Sequence, residues 1–248
     1  SELRVELQRE RPDDVTAAVE LVGTRRILVV LHRVRARHAE AERELRRALA
    51  IADGSLQDPA LNAMRRKLGV SLGATLRELG RYDEARDAVF EVLDELEDAY
   101  AANEDDESAT GDLAQAHLEL GALAAFAIAV DQQRGGSGAD AVELSRLHYE
   151  RAVEVLNAAH ERDPEDTVFR RDRARALMNL ANILIAVPVP EDAQMLSAEG
   201  VAAARELAED YPGVPTYVED LGVALGIQGA ALMFVGQPGD GVASFEEA

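Results

Sequence analysis

Apolar residues recur at three- and four-residue intervals along nearly the whole chain, in stretches of about 20 residues broken by short turns. Ala41, Leu45, Ala48 and Leu49 form one such stripe, and Ala85, Val89, Val92 and Leu93 form another. That spacing predicts amphipathic helices and no strands. The breaks carry the right residues for helix ends: Gly54 with Asp58-Pro59, Gly80, Pro164, Pro212, and Gly236-Gln237-Pro238-Gly239. Proline cannot continue a helix but suits the first turn of the next one. A first helix is expected to start at Pro12-Asp13-Asp14 and to run through Leu21, Ile27, Leu28 and Leu31. Its turn falls near Arg33 to Arg37 and has no glycine.

The pattern repeats. At an offset of 48, Pro164 matches Pro212, Phe169 matches Tyr217, Asp172 matches Asp220, Leu177 matches Leu225 and Leu184 matches Leu232. Aligning small residues where two antiparallel helices would touch gives Val29, Gly73, Gly121, Ala181 and Gly229 on the first helix of each pair. The second helices give Ala41, Ala85, Ala152, Ala193 and Gly241. The first series steps by 44, 48, 60 and 48 residues, and from Gly121 to Ala152 the chain takes 31 residues where the turn from Gly73 to Ala85 takes 12, an insertion of 19. Ala139 to Leu147 is expected to extend the following helix, leaving Gly135 to Gly138 as a mobile tip.

The best-preserved copy, Leu72-Gly73-Ala74-Thr75-Leu76-Arg77-Glu78-Leu79-Gly80-Arg81-Tyr82-Asp83-Glu84-Ala85, resembles the heart of a tetratricopeptide (TPR) repeat. Its period is longer than that of the ordinary unit, about 34 residues, so the likeness is to long-helix bacterial variants. The resemblance implies an all-α fold: a right-handed α-solenoid of about five TPR-like helix-turn-helix units and about ten helices. The units fall at roughly 12–57, 58–107, 108–163, 164–211 and 212–248, in one solenoid domain. The chain has no initiator Met and stops at Phe245-Glu246-Glu247-Ala248 inside a helical pattern, which suggests a piece of a longer bacterial protein.

Composition narrows the function. The net charge of −21 argues against a general affinity for nucleic acid or anionic membrane. The stretch from Arg25 to Lys67 runs the other way, with 11 Arg or Lys against 5 Asp or Glu. No signal peptide is visible, so a cytoplasmic location is expected. The most apolar segment, Leu118 to Val130, reads as a buried helix and is too short to span a bilayer. There is no cysteine, hence no disulfide or thiolate metal site.

No catalytic set emerges, and neither a metal nor a cofactor is expected. His32, His38, His117, His148 and His160 include no i, i+4 zinc pair, and twelve residues separate His148 from His160 on one helix, about 120° apart. Gly135-Gly136-Ser137-Gly138 lacks the Gly-Lys-Ser/Thr and the preceding strand of a phosphate loop. Carboxylates on amphipathic helices read as solvated faces.

The informative surface is the concave one, which the resemblance assigns to the first helix of each unit. Its groove positions carry over as Lys67, Val70, Ser71, Ala74 and Arg77 in the second unit, and Gln115, Leu118, Glu119, Ala122 and Phe126 in the third. The fourth unit supplies Arg175, Met178, Asn179, Asn182 and Ile185, and the fifth Val223, Gly226, Ile227, Ala230, Met233 and Phe234. A carboxylate clamp of the family's chaperone-binding kind is not expected. Asn182 matches one clamp asparagine, but Met178 stands where a lysine belongs and Ile227 replaces the second asparagine. The groove is expected to be polar and basic at its N-terminal end and apolar at its C-terminal end. Phe126 reads equally well as a packing residue, while Met233 and Phe234 suggest a missing helix pair or partner.

The expected function is a non-catalytic protein–protein interaction scaffold or regulatory module. Its partner would be a protein or peptide, such as an amphipathic helix or another domain of the same protein. The alternative is the sensor arm of a larger effector enzyme (protease, kinase or NTPase) whose active site lies elsewhere. Self-association is a third expectation, with the basic first unit (Arg33, Arg35, Arg37, Arg46, Arg47) meeting acidic second-helix faces.

Overall fold

The computed structural model describes residues 15–54, 57–185 and 190–248. Among them every regular element is an α-helix. In chain order they are α1 (Val15–Val34), α2 (His38–Asp53), α3 (Pro59–Glu78), α4 (Tyr82–Ala102) and α5 (Glu107–Gln133). The series continues with α6 (Ala139–Arg162), α7 (Thr167–Ile185), α8 (Pro190–Asp210), α9 (Pro215–Phe234) and α10 (Pro238–Glu247). The expected start of the first helix at Pro12 and the Pro188-Val189 turn lie outside the described residues.

The chain divides into two compact units, Ser1–Asn103 and Glu104–Ala248. The break falls in the acidic stretch Asn103–Ser108. In unit 1, α1 packs on α2, α2 on α3, and α3 on α4, with α1 also reaching α3. Unit 2 follows the same rule from α5 to α10, and its first helix α7 also touches the first helices on either side, α5 and α9. This succession of helix pairs is a helical-repeat architecture, in which each pair buries its apolar face against its neighbours.

Small residues sit where the helices cross. Ala41, Ala85, Ala152, Ala181 and Ala193 are fully buried. A side chain at Gly73 would overlap Val89 and come within 3.0 Å of the Ala85 carbonyl oxygen. At the last crossing, Gly229 and Gly241 face each other's backbone carbonyl oxygens at 3.0 and 2.8 Å from where a Cβ would stand. Larger side chains fill the space around these contacts: Leu45, Leu61, Leu68, Leu76, Leu96, Leu113, Leu156, Leu177 and Leu207 are all nearly inaccessible.

Three of the described turns share one geometry. Seven residues after the small position, Gly80 and Gly236 adopt φ of 73° and 80°. The amide of the next residue then reaches back to a carbonyl in the last helical turn, Arg81 N to Leu76 O and Gln237 N to Leu232 O, both at 2.9 Å. The first turn keeps the same bond without a glycine, Arg37 N donating to His32 O at 2.8 Å. Ala36 takes the left-handed conformation instead, at φ 52°.

The 19-residue insertion is absorbed by both helices of its pair. Relative to the α3–α4 pair, seven residues extend α5 beyond Gly121, ten extend α6 ahead of Ala152 and two enlarge the loop. The glycine tip folds back on the end of α5. The Asp131 carboxylate accepts the Gly138 amide at 2.7 Å, and the Gly136 amide donates to the Asp131 carbonyl at 2.9 Å. Gly135 and Gly138 supply the positive φ values this fold-back needs.

The apolar segment from Leu118 to Val130 belongs to a helix longer than the segment itself, α5. By length and composition α5 could cross a membrane, with a mean hydropathy of 1.6 over 18 residues, half of which are buried. It is the helix packed against α6 along its length and against α7, which accounts for its apolar character.

Candidate functional site

Counting from the small position of each first helix fixes a common face. Positions −6, −2 and +1 are the less buried ones: Gln115, Glu119 and Ala122 on α5, Arg175, Asn179 and Asn182 on α7, Val223, Ile227 and Ala230 on α9. On α3 they are Lys67, Ser71 and Ala74. Glu119 alone of these is buried, at 9% exposure.

Position −3 is different, and here the structure corrects the sequence-derived surface. Val70, Leu118 and Met178 are buried. Met178 packs with Ala174, Val201, Ala204, Ala224 and Leu225, at the junction of α7, α8 and α9. One residue turns a helix by about 100°, so −3 points between helices where −2 points outward. Leu118 and Met178 therefore present no surface to a partner. Ile227 is half-buried against the same cluster.

In unit 2 two polar members of this face, Gln115 and Arg175, are tied through Asp172. The Gln115 amide donates to Asp172 at 2.6 Å, and Arg175 lies 3.5 Å from the same carboxylate. Burial raises the Asp172 pKa from its ordinary value, with Arg175 and the Gln115 bond opposing the shift. Arg171 bonds Asp220 at 2.6 Å and lies over the Tyr217 ring at 5.8 Å. Asp172 and Asp220 occupy one repeat position, and on both α7 and α9 this aspartate receives a donor from the first helix before it. These contacts fix the spacing of the inner helices. Phe126, Met233 and Phe234 stay 38%, 50% and 65% exposed, and Asn182 is exposed as well.

In unit 1, Lys67 and Arg77 are half-buried, and Arg77 pairs with its neighbour Glu78 at 3.1 Å. The strongest feature is one sequence reasoning passed over. Ile27, Val30, Leu31 and Val34 form an i, i+3, i+4, i+7 stripe on α1 that is 48–81% exposed. It lies opposite the buried stripe Ala18, Leu21, Val22 and Val29. Ile27 and Val30 occupy the −2 and +1 positions, so the signal that assigned Lys67 and Arg77 to this face assigns them too. Beside the stripe runs a cleft of about 330 Å³, lined by Gly23, Ile27, Val30, Leu45, Leu68 and Ser71, with Arg26 and Arg33 at its margin. The N-terminal face is thus apolar with a basic border, not merely polar and basic.

Two clefts of about 280 and 200 Å³ lie on the second-helix side, one in each unit. Each contains an arginine eight residues before the small position, Arg65 or Arg173, paired to a carboxylate of its own helix pair, Glu95 or Glu199. These ion pairs brace the pairs from behind.

The histidines hold a second omission. His117 and His148 are both buried, with Nδ1 atoms 3.0 Å apart. One sits four residues before Gly121 and the other four before Ala152, so the repeat alignment already placed them side by side. His148 and His160 do not meet, as their spacing predicts. Burial, and secondarily His117, lowers the His148 pKa to about 4. Among the described residues no group of three or more His, Asp or Glu side chains is arranged to hold a metal ion.

The succession of helix pairs defines a helical-repeat fold. Comparison with solved structures agrees: the crystal structure of BtubC (BKLC) from P. vanneervenii superposes with a TM-score of 0.68 over 99% of this chain and 84% of that one. Identity between the two is 20%, so the likeness is one of fold. No family model matches the chain. No curated protein matches it either.

Proposed function

We propose that the chain is a non-catalytic protein–protein interaction scaffold of the tetratricopeptide type, working in a bacterial cytoplasm. Its docking surface is the exposed face of the first helices within a unit, and the observation that carries this is the exposed α1 stripe beside the 330 Å³ cleft. Four large aliphatic side chains in a row on one helix are costly to leave in water, at about 25 cal/mol per Å². A contiguous apolar strip with a charged border is what an amphipathic helix needs to lie along. The ties among Gln115, Asp172, Arg171 and Asp220 favour a preformed surface, which loses little order on binding.

Selection from a displayed library of helical peptides tests this. Enriched sequences should carry apolar residues at i, i+3 or i+4, and i+7, and should lose binding to an Ile27→Asp/Val30→Asp variant that keeps its helix content. If the enriched peptides bind that variant as well as the parent, the α1 face is not the docking surface.

A further inference from the structure

A second surface has the complementary chemistry. Where α9 meets α10, Phe234, Val242 and Phe245 are 65%, 49% and 46% exposed. Met233 lies against Gly241 and the Phe245 ring against Gly229, so these side chains form one strip across the two helices. Its border is acidic. Asp240 and Glu246 are exposed, and among the described residues neither enters an ion pair; Glu247 pairs with Arg205 at 2.6 Å.

The border of the α1 stripe is the opposite. Arg26, Arg33, Arg35 and Arg37 are exposed, and no ion pair involves them among the described residues. The neighbouring cations are already engaged: Arg25 with Glu44, Arg46 with Glu42 and Arg47 with Glu44, at 2.6–2.8 Å. The four outward arginines are therefore the ones that can meet a partner's carboxylates. A cavity of about 150 Å³ holds a benzene molecule, so the 330 Å³ cleft has room for a phenylalanine side chain.

From this complementarity we infer that the occupant of the α1 face is a second copy of this chain, docked by its α9–α10 strip. The inference rests on the docking surface proposed above and names its partner. The contact is heterologous: head and tail differ, so every open assembly keeps one unused head and one unused tail, and chains can grow. Apolar burial supplies the affinity, and the arginine–carboxylate border supplies direction against the overall repulsion between two acidic molecules.

Analytical ultracentrifugation of the full 248-residue chain at about 0.15 M salt is the test. Two variants block one surface each: Ile27→Asp/Val30→Asp the head, and Phe234→Asp/Val242→Asp the tail. All four positions are at least 49% exposed, and circular dichroism verifies that both variants fold. The parent should show an average mass that rises with concentration past the dimer. Each variant alone should weaken association by at least about tenfold. Their equimolar mixture should form a dimer and nothing larger, because only one productive contact remains. A parent that stays monomeric up to about 0.5 mM, weaker than any specific contact of use, overturns the inference, as does a mixture that stays monomeric. If that monomer still binds library-selected peptides through Ile27 and Val30, self-docking falls and the scaffold reading stands.

Discussion

Acidification should weaken unit 2 in part through one contact, the buried His117–His148 pair. With Nδ1 atoms 3.0 Å apart, one ring donates and the other accepts, so the pair accommodates one proton on that line and not two. The folded state holds His148 at a pKa of about 4, against 6.5 for the unperturbed ring. Because the folded pKa is the lower one, the contribution is complete above pH 6.5 and is lost as pH falls from 6.5 toward 4. The shift is worth about 2–3 kcal/mol at about 1.36 kcal/mol per pH unit. Urea unfolding of the whole chain, followed by helix circular dichroism from pH 7.5 down to 4.5, measures it. With a slope of about 2 kcal/mol per molar urea, the midpoint of the affected transition should move by about 1 M. A His148→Gln variant keeps hydrogen-bonding capacity but cannot take a proton. Parent and variant both lose stability as carboxylates protonate, and the parent should lose more, by the margin just worked out for His148. Parallel curves, with a constant difference across the range, would refute the reasoning.

Four substitutions examine the fold itself by thermal or urea unfolding. Gly73→Ala should destabilise by about 1–3 kcal/mol through overlap with Val89, whereas Gly226→Ala, with nothing within 4 Å, should stabilise by about 0.5–1 kcal/mol. Ala36→Gly should stabilise by roughly 0.5 kcal/mol, since a left-handed alanine costs about 1–2 kcal/mol and glycine returns part of that gain as chain entropy. Asp58→Ala removes the carboxylate that caps α3 through the Ala60 and Leu61 amides, both at 3.0 Å, and should cost about 1 kcal/mol.

The repeat was legible because its requirements are local. Gly73, Gly121, Ala181 and Gly229 are small for one reason, the approach of a second helix, and small residues at fixed spacing survive when the rest of a repeat drifts. The turn at Ala36 was harder to place because the expected glycine is absent there, although the backbone adopts the same shape. The docking face was half legible. The position −3 residues were assigned to the surface because −3 and −2 are neighbours in sequence, yet about 100° of rotation separates Met178, in the core, from Asn179, at its edge. Ile27 and Val30 are hard to recognise for a related reason: α1 carries apolar residues on both faces, and only burial distinguishes the two. The His117–His148 pair depends on two helices whose contacting rings are 31 residues apart in sequence, and becomes visible only when both helices are aligned on their contact residues.

The long α5–α6 pair shows how such a chain can change length without rebuilding itself. Seven added residues are within about 20° of two full turns, so the faces of α5 keep their orientation while the helix gains about 10 Å. Because each pair touches only its neighbours, growth at the far end disturbs no other pair, and an odd residue count can be taken up by the other helix and the loop. Pair length behaves as an adjustable dimension, separate from the contacts that set fold and register. A pair that outgrows its neighbours becomes a spur, and residues 134–138 at its tip are a place where sequence can be added or exchanged at little cost to the core.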